Sequence, residues 1–197
     1  MTPIINIMGE KVALGPLVRE TVIALEERAL NDFATLRSMW ELAPVPATRE
    51  RIERWYDSAT TREDAAHFLV YERASGDPIG RAGVRDIDFR NRSAEFAITI
   101  YDARHRGKGY GTEAARLALD YAFTALGLHN VLLTAVSFNE GGLRAYQRAG
   151  FHEIGRRREC WLMGGRWYDE VYMDCIATEF DSPVLRHIFV PDEVGKG

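Results

Sequence analysis

The segment Ala103-Arg104-His105-Arg106-Gly107-Lys108-Gly109-Tyr110-Gly111-Thr112 constrains the fold of this chain more than any other. Before it, Ser93–Tyr101 alternates: Phe96, Ile98 and Ile100 share one face, and Glu95, Ala97, Thr99 and Tyr101 share the other. After it, Ala114, Leu117, Ala118, Tyr121, Ala122 and Ala125 recur at helical spacing, and Gly127 stands where a stop belongs. A strand must therefore turn directly into a helix across three alternate glycines. Glycines there let the backbone approach a ligand and turn its N–H groups inward. The helix start adds free N–H groups and the positive end of a dipole, worth about 0.3–1 kcal/mol per nearby charge. With Arg104, Arg106 and Lys108 supplying formal charge, the segment predicts an anion cradle, most naturally for a pyrophosphate. Two familiar phosphate loops do not fit. No Lys-Ser/Thr pair follows the glycines, and the third glycine of GxGxxG would fall at Thr112.

The remaining text surrounds this turn with strands and helices. Val12–Pro16 reads as a first strand, and Arg19–Arg28 as a helix. Thr48 caps a second helix over Arg49–Ser58. Strands follow at His67–Arg73 and Ile79–Phe89, joined by a Ser75-Gly76-Asp77-Pro78 turn. Val131–Val136 is a continuous apolar run, expected to be covered on both faces. A helix from Gly141 to Ala149 ends at Gly150, and two closing strands near 153–163 and 166–176 hinge on Gly164-Gly165. Hairpins mixed with strand–helix–strand crossovers predict an α/β fold with a mixed sheet.

Charge and cysteines narrow the function classes. Twenty-five Lys and Arg against 29 Asp and Glu give a net charge of −4, which argues against broad binding to nucleic acid. No run approaches the roughly 18 apolar residues of a membrane span. The first thirty residues show no basic leader before an apolar core, so a cytoplasmic protein is expected. Cys160 and Cys175 are too few for a structural zinc site, the five histidines have no HExxH-like spacing, and no metal is expected.

The sequence Arg104-His105-Arg106-Gly107-Lys108-Gly109 resembles the [QR]-x-x-G-x-[GA] signature of the GNAT acyltransferases, which bind acetyl-CoA. About thirty residues on, Asn139-Glu140-Gly141-Gly142-Leu143-Arg144-Ala145-Tyr146-Gln147-Arg148-Ala149-Gly150-Phe151 resembles that family's N-x-x-[SA]-x-x-x-Y-x-x-x-G-F. The texture is similar to the branch of ribosomal-protein N-terminal and spermidine N-acetyltransferases, including Gly9-Glu10-Lys11-Val12 and Gly165-Arg166-Trp167-Tyr168-Asp169. The likeness spans Gly9 to Phe180, implying one GNAT domain over 9–180 and a tail over 181–197. It implies a mostly antiparallel sheet of about seven strands flanked by helices. It also implies acetyl-CoA as co-substrate, an amine acceptor, and a homodimer of the kind frequent in this branch.

The resemblance assigns residues as well. Backbone groups of Ile98, Thr99 and Ile100 would pair with the pantetheine arm, and N–H groups from Arg106 through Gly107, Lys108, Gly109, Tyr110, Gly111 and Thr112 would hold the pyrophosphate. Asn139 would bond the pantetheine, and Tyr146 would lie near the sulfur. Gly142 stands where the family usually has Ser or Ala, so a side-chain contact from that position is lost. A departing thiol has a pKa near 8.5 and a phenol one near 10, so Tyr146 can be protonated at working pH and donate. Glu95, on the strand beside the cofactor, is the candidate base for the amine. Neither cysteine falls in the motifs, which favours direct attack over a covalent acyl-enzyme.

The acceptor is less constrained: a polyamine, a protein N-terminus and a small amine all stay open. Residues 20–64 hold ten acidic and six basic side chains, an excess equal to that of the whole chain. Glu26, Glu27, Asp32 and Glu41 could draw in a cationic amine, although a solvated helix face also explains them. Trp40, Trp55, Trp161 and Trp167 could wall a pocket or simply pack a core. A catalytically silent CoA-binding module and an unrelated nucleotide-binding domain are the alternatives to an enzyme.

Overall fold

The structure is a computed structural model that describes residues 3–36 and 45–190. The Trp40 and Glu41 readings lie outside the described residues. Eight strands form one sheet in the order β1-β2-β3-β4-β5-β6-β8-β7. They are β1 (Ile7–Met8), β2 (Val12–Pro16), β3 (Ala66–Glu72), β4 (Pro78–Asp88), β5 (Ser93–Ile100), β6 (Asn130–Val136), β7 (His152–Met163) and β8 (Arg166–Ile176). Every neighbouring pair is antiparallel except β5 and β6. The helices are α1 (Arg19–Asn31), α2 (Phe33–Leu36), α3 (Arg49–Thr61), α4 (Tyr110–Asp120) and α5 (Glu140–Ala149). The expected mixed, mostly antiparallel α/β sheet is observed. It has one strand more than expected, because two-residue β1 is too short to show a period.

Alternation along the strands separates two apolar layers. On one face, Phe68, Val84, Phe96, Leu133 and Met173 pack with Ala114, Leu117, Ala118 and Ala122 of the α4 region and Ala149 of α5. On the other, Leu69 and Tyr71 of β3 meet Val22 of α1 and Trp55 and Tyr56 of α3. β6 departs from its reading. Val131, Leu133 and Ala135 are buried while Leu132 and Thr134 are only half-buried, so one face of this apolar run is partly open.

Thr48 caps α3 as expected, its side chain accepting the Arg51 N–H at 3.4 Å. The long helix widens beyond Asp120 into a π-turn over Tyr121–Ala125, where Leu126 N–H bonds the Tyr121 carbonyl. That local widening is invisible in an apolar pattern that continues through Ala125. Asp120, 0 % exposed, accepts hydrogen bonds from the Thr124 and Ser182 hydroxyls and from the Val184 and Leu185 N–H groups. With Leu185 buried, the first residues after Phe180 are docked on the domain.

Candidate active site

β5 and β6 pair at only three positions, Ser93↔Asn130, Ala94↔Val131 and Glu95↔Leu132. Both strands continue past that point, β5 to Ile100 and β6 to Val136, so they diverge into a bay. The backbone of β5 decides what faces the bay. Tyr101 N–H bonds the Ile79 carbonyl on β4, and Arg92 O accepts from His129 and Asn130 at the start of β6. Alternation then turns the main-chain groups of Ile98 and Ile100 toward the bay and those of Thr99 toward β4, where it pairs with Arg81. Ile98 and Ile100 thus offer strand-edge groups to an extended ligand, and Thr99 does not. The Ile100 carbonyl already accepts from Arg106 Nη2 at 3.3 Å.

The bay leads to the glycine turn. Gly107 and Gly109 have φ of +73° and +88°, the left-handed region that favours glycine. Gly109 is also the N-cap residue of α4, so the first-turn N–H groups at Tyr110, Gly111 and Thr112 start the helix without intrahelical acceptors. Arg104 contributes less charge than its sequence position suggests. Its guanidinium bonds Asp102 at 2.8 and 2.6 Å and holds that carboxyl down at about 2. Arg106 and Lys108 therefore supply most of the cradle's positive charge. The backbone curvature, N–H groups and cations together fit a diphosphate.

Tyr146, on α5, lies at the inner margin of the bay. Its ring meets Phe96 of β5 edge-to-face at 6.3 Å and Phe151 at 6.1 Å. Those contacts fix the ring beside the point where the strands part. Asn139 has a structural use besides the ligand contact expected of it. It is the N-cap of α5, its Oδ1 accepting the Gly142 N–H at 3.1 Å, which leaves its Nδ2 as the group able to reach a ligand. A Cβ at Gly142 would lie 2.4 Å from Asn139 Nδ2, so the missing side chain makes room for this cap.

The opposite sheet face carries a polar row. The pairing register places Glu95, Thr99 and Arg81 on it, together with Glu170, Tyr172 and Asp174 of β8. Arg85 binds Glu95 at 2.5 Å. Glu170 is only 8 % exposed and accepts the Tyr172 hydroxyl at 2.7 Å; no cation among the described residues ion-pairs with it. The sequence reading missed Glu170, because burial of a single carboxylate within a strand of mixed polarity leaves no periodic signal.

The early acidic segment is largely neutralised within the fold. Glu26, 4 % exposed, bonds Arg81 Nε at 2.8 Å and accepts the Tyr101 hydroxyl at 2.6 Å. Glu27 lies 3.8 Å from Arg49, and Asp32 accepts from Ala34 and Thr35. Glu26 thus ties α1 to the sheet, Glu27 faces α3, and Asp32 bonds the start of α2. Trp55 lies under the Arg81 guanidinium at 4.4 Å, whereas the Trp167 side of the hairpin is exposed.

His67 sits between Trp55 and this row, 6.2 Å from the indole ring. Burial lowers its pKa to about 4 from 6.5, with Arg81, Arg85 and Arg62 adding to the effect. The folded chain keeps this imidazole neutral while the unfolded chain protonates it. The associated stability is therefore complete above about pH 6.5 and is lost as pH falls toward 4. Denaturant melts at pH 7.5 and 4.5 should show that wild type loses about 2.5 kcal/mol more than His67→Gln across this interval. Equal losses would contradict the assignment.

Burial, with Asp174 and Glu179 nearby, pushes the Cys175 thiol up to about 12, which makes it a poor nucleophile. Among the described residues no group of three or more His, Cys, Asp or Glu is placed to hold a metal ion, and no helix is long and apolar enough to cross a membrane.

Comparison with known proteins agrees with this geometry. Residues 19–152 match the acetyltransferase (GNAT) domain family. The chain is 31% identical over 151 residues to a spermidine N(1)-acetyltransferase of Vibrio cholerae, covering 77% of this chain and 86% of that one. It is 30% identical over 168 residues to the spermidine N(1)-acetyltransferase of Escherichia coli, covering 85% and 87%. The crystal structure of the Vibrio cholerae spermidine N-acetyltransferase in complex with CoA and spermine superposes with a TM-score of 0.77 at 27% identity, covering 87% of this chain and 98% of that one. A GCN5-related N-acetyltransferase from Brucella melitensis gives 0.70, also at 27% identity, over 91% and 82%. Fold, cradle and kinship agree: this chain belongs to the GNAT family and is an acetyl-CoA-dependent N-acetyltransferase.

Proposed function

We propose that the protein acetylates a polyamine, of which spermidine is the representative, by direct attack of the free amine on acetyl-CoA. One observation carries this reading: the kinship to spermidine acetyltransferases extends over 77–85% of the chain rather than over the cofactor motifs alone. The polar row supports it. A buried carboxylate without a cationic partner costs free energy that an ammonium group would offset, and Glu170 is such a carboxylate.

In this reading the glycine turn and the start of α4, from Arg106 to Thr112, hold the pyrophosphate, and Ile98 and Ile100 lie along the pantetheine arm. Asn139 contributes its Nδ2. Tyr146 donates its proton to the departing sulfur. Glu95, oriented by Arg85, receives the amine's proton through water, and Glu170 holds a second, charged nitrogen of the acceptor. The comparisons lend no support to a silent CoA-binding module. The protein acts in the cytoplasm and pairs with a second copy; size-exclusion chromatography at twice the monomer mass tests the pairing.

A CoA-release assay with spermidine, an N-terminal peptide and an aminoglycoside tests the acceptor class, and spermidine should turn over fastest. Glu170→Gln should raise KM for spermidine about tenfold while leaving KM for acetyl-CoA unchanged, since it removes one partly desolvated charge pair. A preference for the peptide, or an unchanged spermidine KM, would contradict the reading.

A further inference from the structure

Glu170 has three neighbours on its own face of the sheet. On β6 it faces the buried Val136, on β7 it faces Arg157, and the next residue of β8 on that face is Tyr172. Directly opposite residues of an antiparallel pair share a face and lie about 5 Å apart. Arg157 therefore stands within reach of the Glu170 carboxylate. The two do not pair: Glu170 accepts the Tyr172 hydroxyl at 2.7 Å, and no ion pair among the described residues includes Arg157.

β7 is irregular on both sides of this spot. The register slips between Glu153 and Gly155, so Ile154 has no partner and glycine faces Tyr172. A Cβ at Gly155 would meet nothing within 4 Å, which leaves that flank open. Beyond Arg157, three residues (Arg158, Glu159 and Cys160) stand against Asp169 alone. Glu159 has φ +49°, in the left-handed region, and its N–H bonds Asp169 Oδ1 at 3.0 Å. The Cys160 thiol donates to the Arg157 carbonyl at 3.3 Å. Bulges re-aim side chains and are frequent beside active sites. Arg157 is thus the last residue held in register before a pinned bulge, and it ends opposite the carboxylate.

The other charges of this face are engaged elsewhere. Glu95 is bound by Arg85, and Asp174 accepts from Asn130 Nδ2 at 2.9 Å and faces His152. Among the described residues, Arg157 is the cation placed to compete for Glu170. The hydrogen bond to Glu170 raises the Tyr172 phenol above its ordinary value, with Arg157 acting the other way, so the hydroxyl stays a donor at working pH. A hydrogen bond to a charged group outweighs an exposed cross-strand ion pair.

We infer that Tyr172 is a positioning residue for the acceptor: its hydroxyl fixes one oxygen of Glu170, holds the carboxylate off Arg157, and leaves the other oxygen for the acceptor's ammonium group. The inference rests on Glu170 as the group that binds the second nitrogen of a polyamine. Without the hydroxyl, the carboxylate closes onto Arg157, and the acceptor has to break an ion pair to bind.

Steady-state kinetics on the full-length chain test this. Tyr172→Phe keeps the ring and should raise KM for spermidine about fivefold, with kcat and KM for acetyl-CoA within about twofold of wild type. Combined with Glu170→Gln it should add nothing, because it acts through that carboxylate. Tyr172→Phe/Arg157→Gln should bring KM back to within about twofold of wild type, which no repair of packing would do. A crystal structure of Tyr172→Phe without acceptor should show Glu170 within about 4 Å of the Arg157 guanidinium. An unchanged KM in Tyr172→Phe, additive losses with Glu170→Gln, no rescue by Arg157→Gln, or a carboxylate that stays in place would overturn the role of Tyr172 and leave the polyamine reading standing. A wild type that does not turn over spermidine, or a silent Glu170→Gln, would overturn the polyamine reading and the inference with it.

Discussion

Tyr146→Phe should lower kcat by about a hundredfold or more while leaving the affinity for CoA within about twofold, because a positioned general acid contributes on the order of 10²–10⁴ in rate. The reason is geometric. The Tyr146 ring is clamped edge-to-face between Phe96 and Phe151, so phenylalanine should keep the same packing and lose only the hydroxyl. Steady-state kinetics with saturating amine, together with calorimetric titration of CoA, would separate the two effects. Parallel losses of rate and CoA affinity would make Tyr146 a packing residue. An unchanged kcat would remove it from the proton path altogether.

Glu26→Ala should destabilise the fold by about 3–5 kcal/mol, because it strips Arg81 of its carboxylate and the buried Tyr101 hydroxyl of its acceptor. Burial and the neighbouring Glu26 carboxylate hold the Tyr101 phenol well above its usual range, so it serves as a donor throughout the working pH range. The network ties α1 to β4 and to the residue that follows β5, where the chain enters the cradle. A melting temperature lower by on the order of 10 °C is expected, with Glu26→Gln losing less because it keeps an acceptor. A loss below about 1 kcal/mol would show that Arg81 finds another partner and that the network does not brace the cradle.

What could be read from the sequence follows physical range. The glycine turn was legible because a left-handed backbone, as at Gly107 and Gly109, leaves a residue-type signature on the spot. The faces of β5 were legible because alternation is local: Phe96 lies in the core and Glu95 on the opposite face. The second face of β6 was misread, since an apolar run does not say whether anything covers it. The Glu26–Arg81 pair spans 55 residues, so a carboxylate that looks like bait for an amine is a buried brace. Asn139 matches a motif position, and its capping of α5 through Oδ1, in the space left by Gly142, is legible only in the structure. Lys11 and Arg73 are unremarkable in the sequence; the β2–β3 pairing brings them to one edge, and Glu113 ties that edge to the turn carrying Lys108.

The most direct test of the account is a crystal structure of the protein with acetyl-CoA. The pyrophosphate is expected on the N–H groups between Arg106 and Thr112, the pantetheine along Ile98 and Ile100 in the β5–β6 bay, and the thioester sulfur within about 3.5 Å of the Tyr146 hydroxyl. A pyrophosphate seated away from the Gly107–Gly109 turn, or a sulfur out of reach of Tyr146, would contradict it.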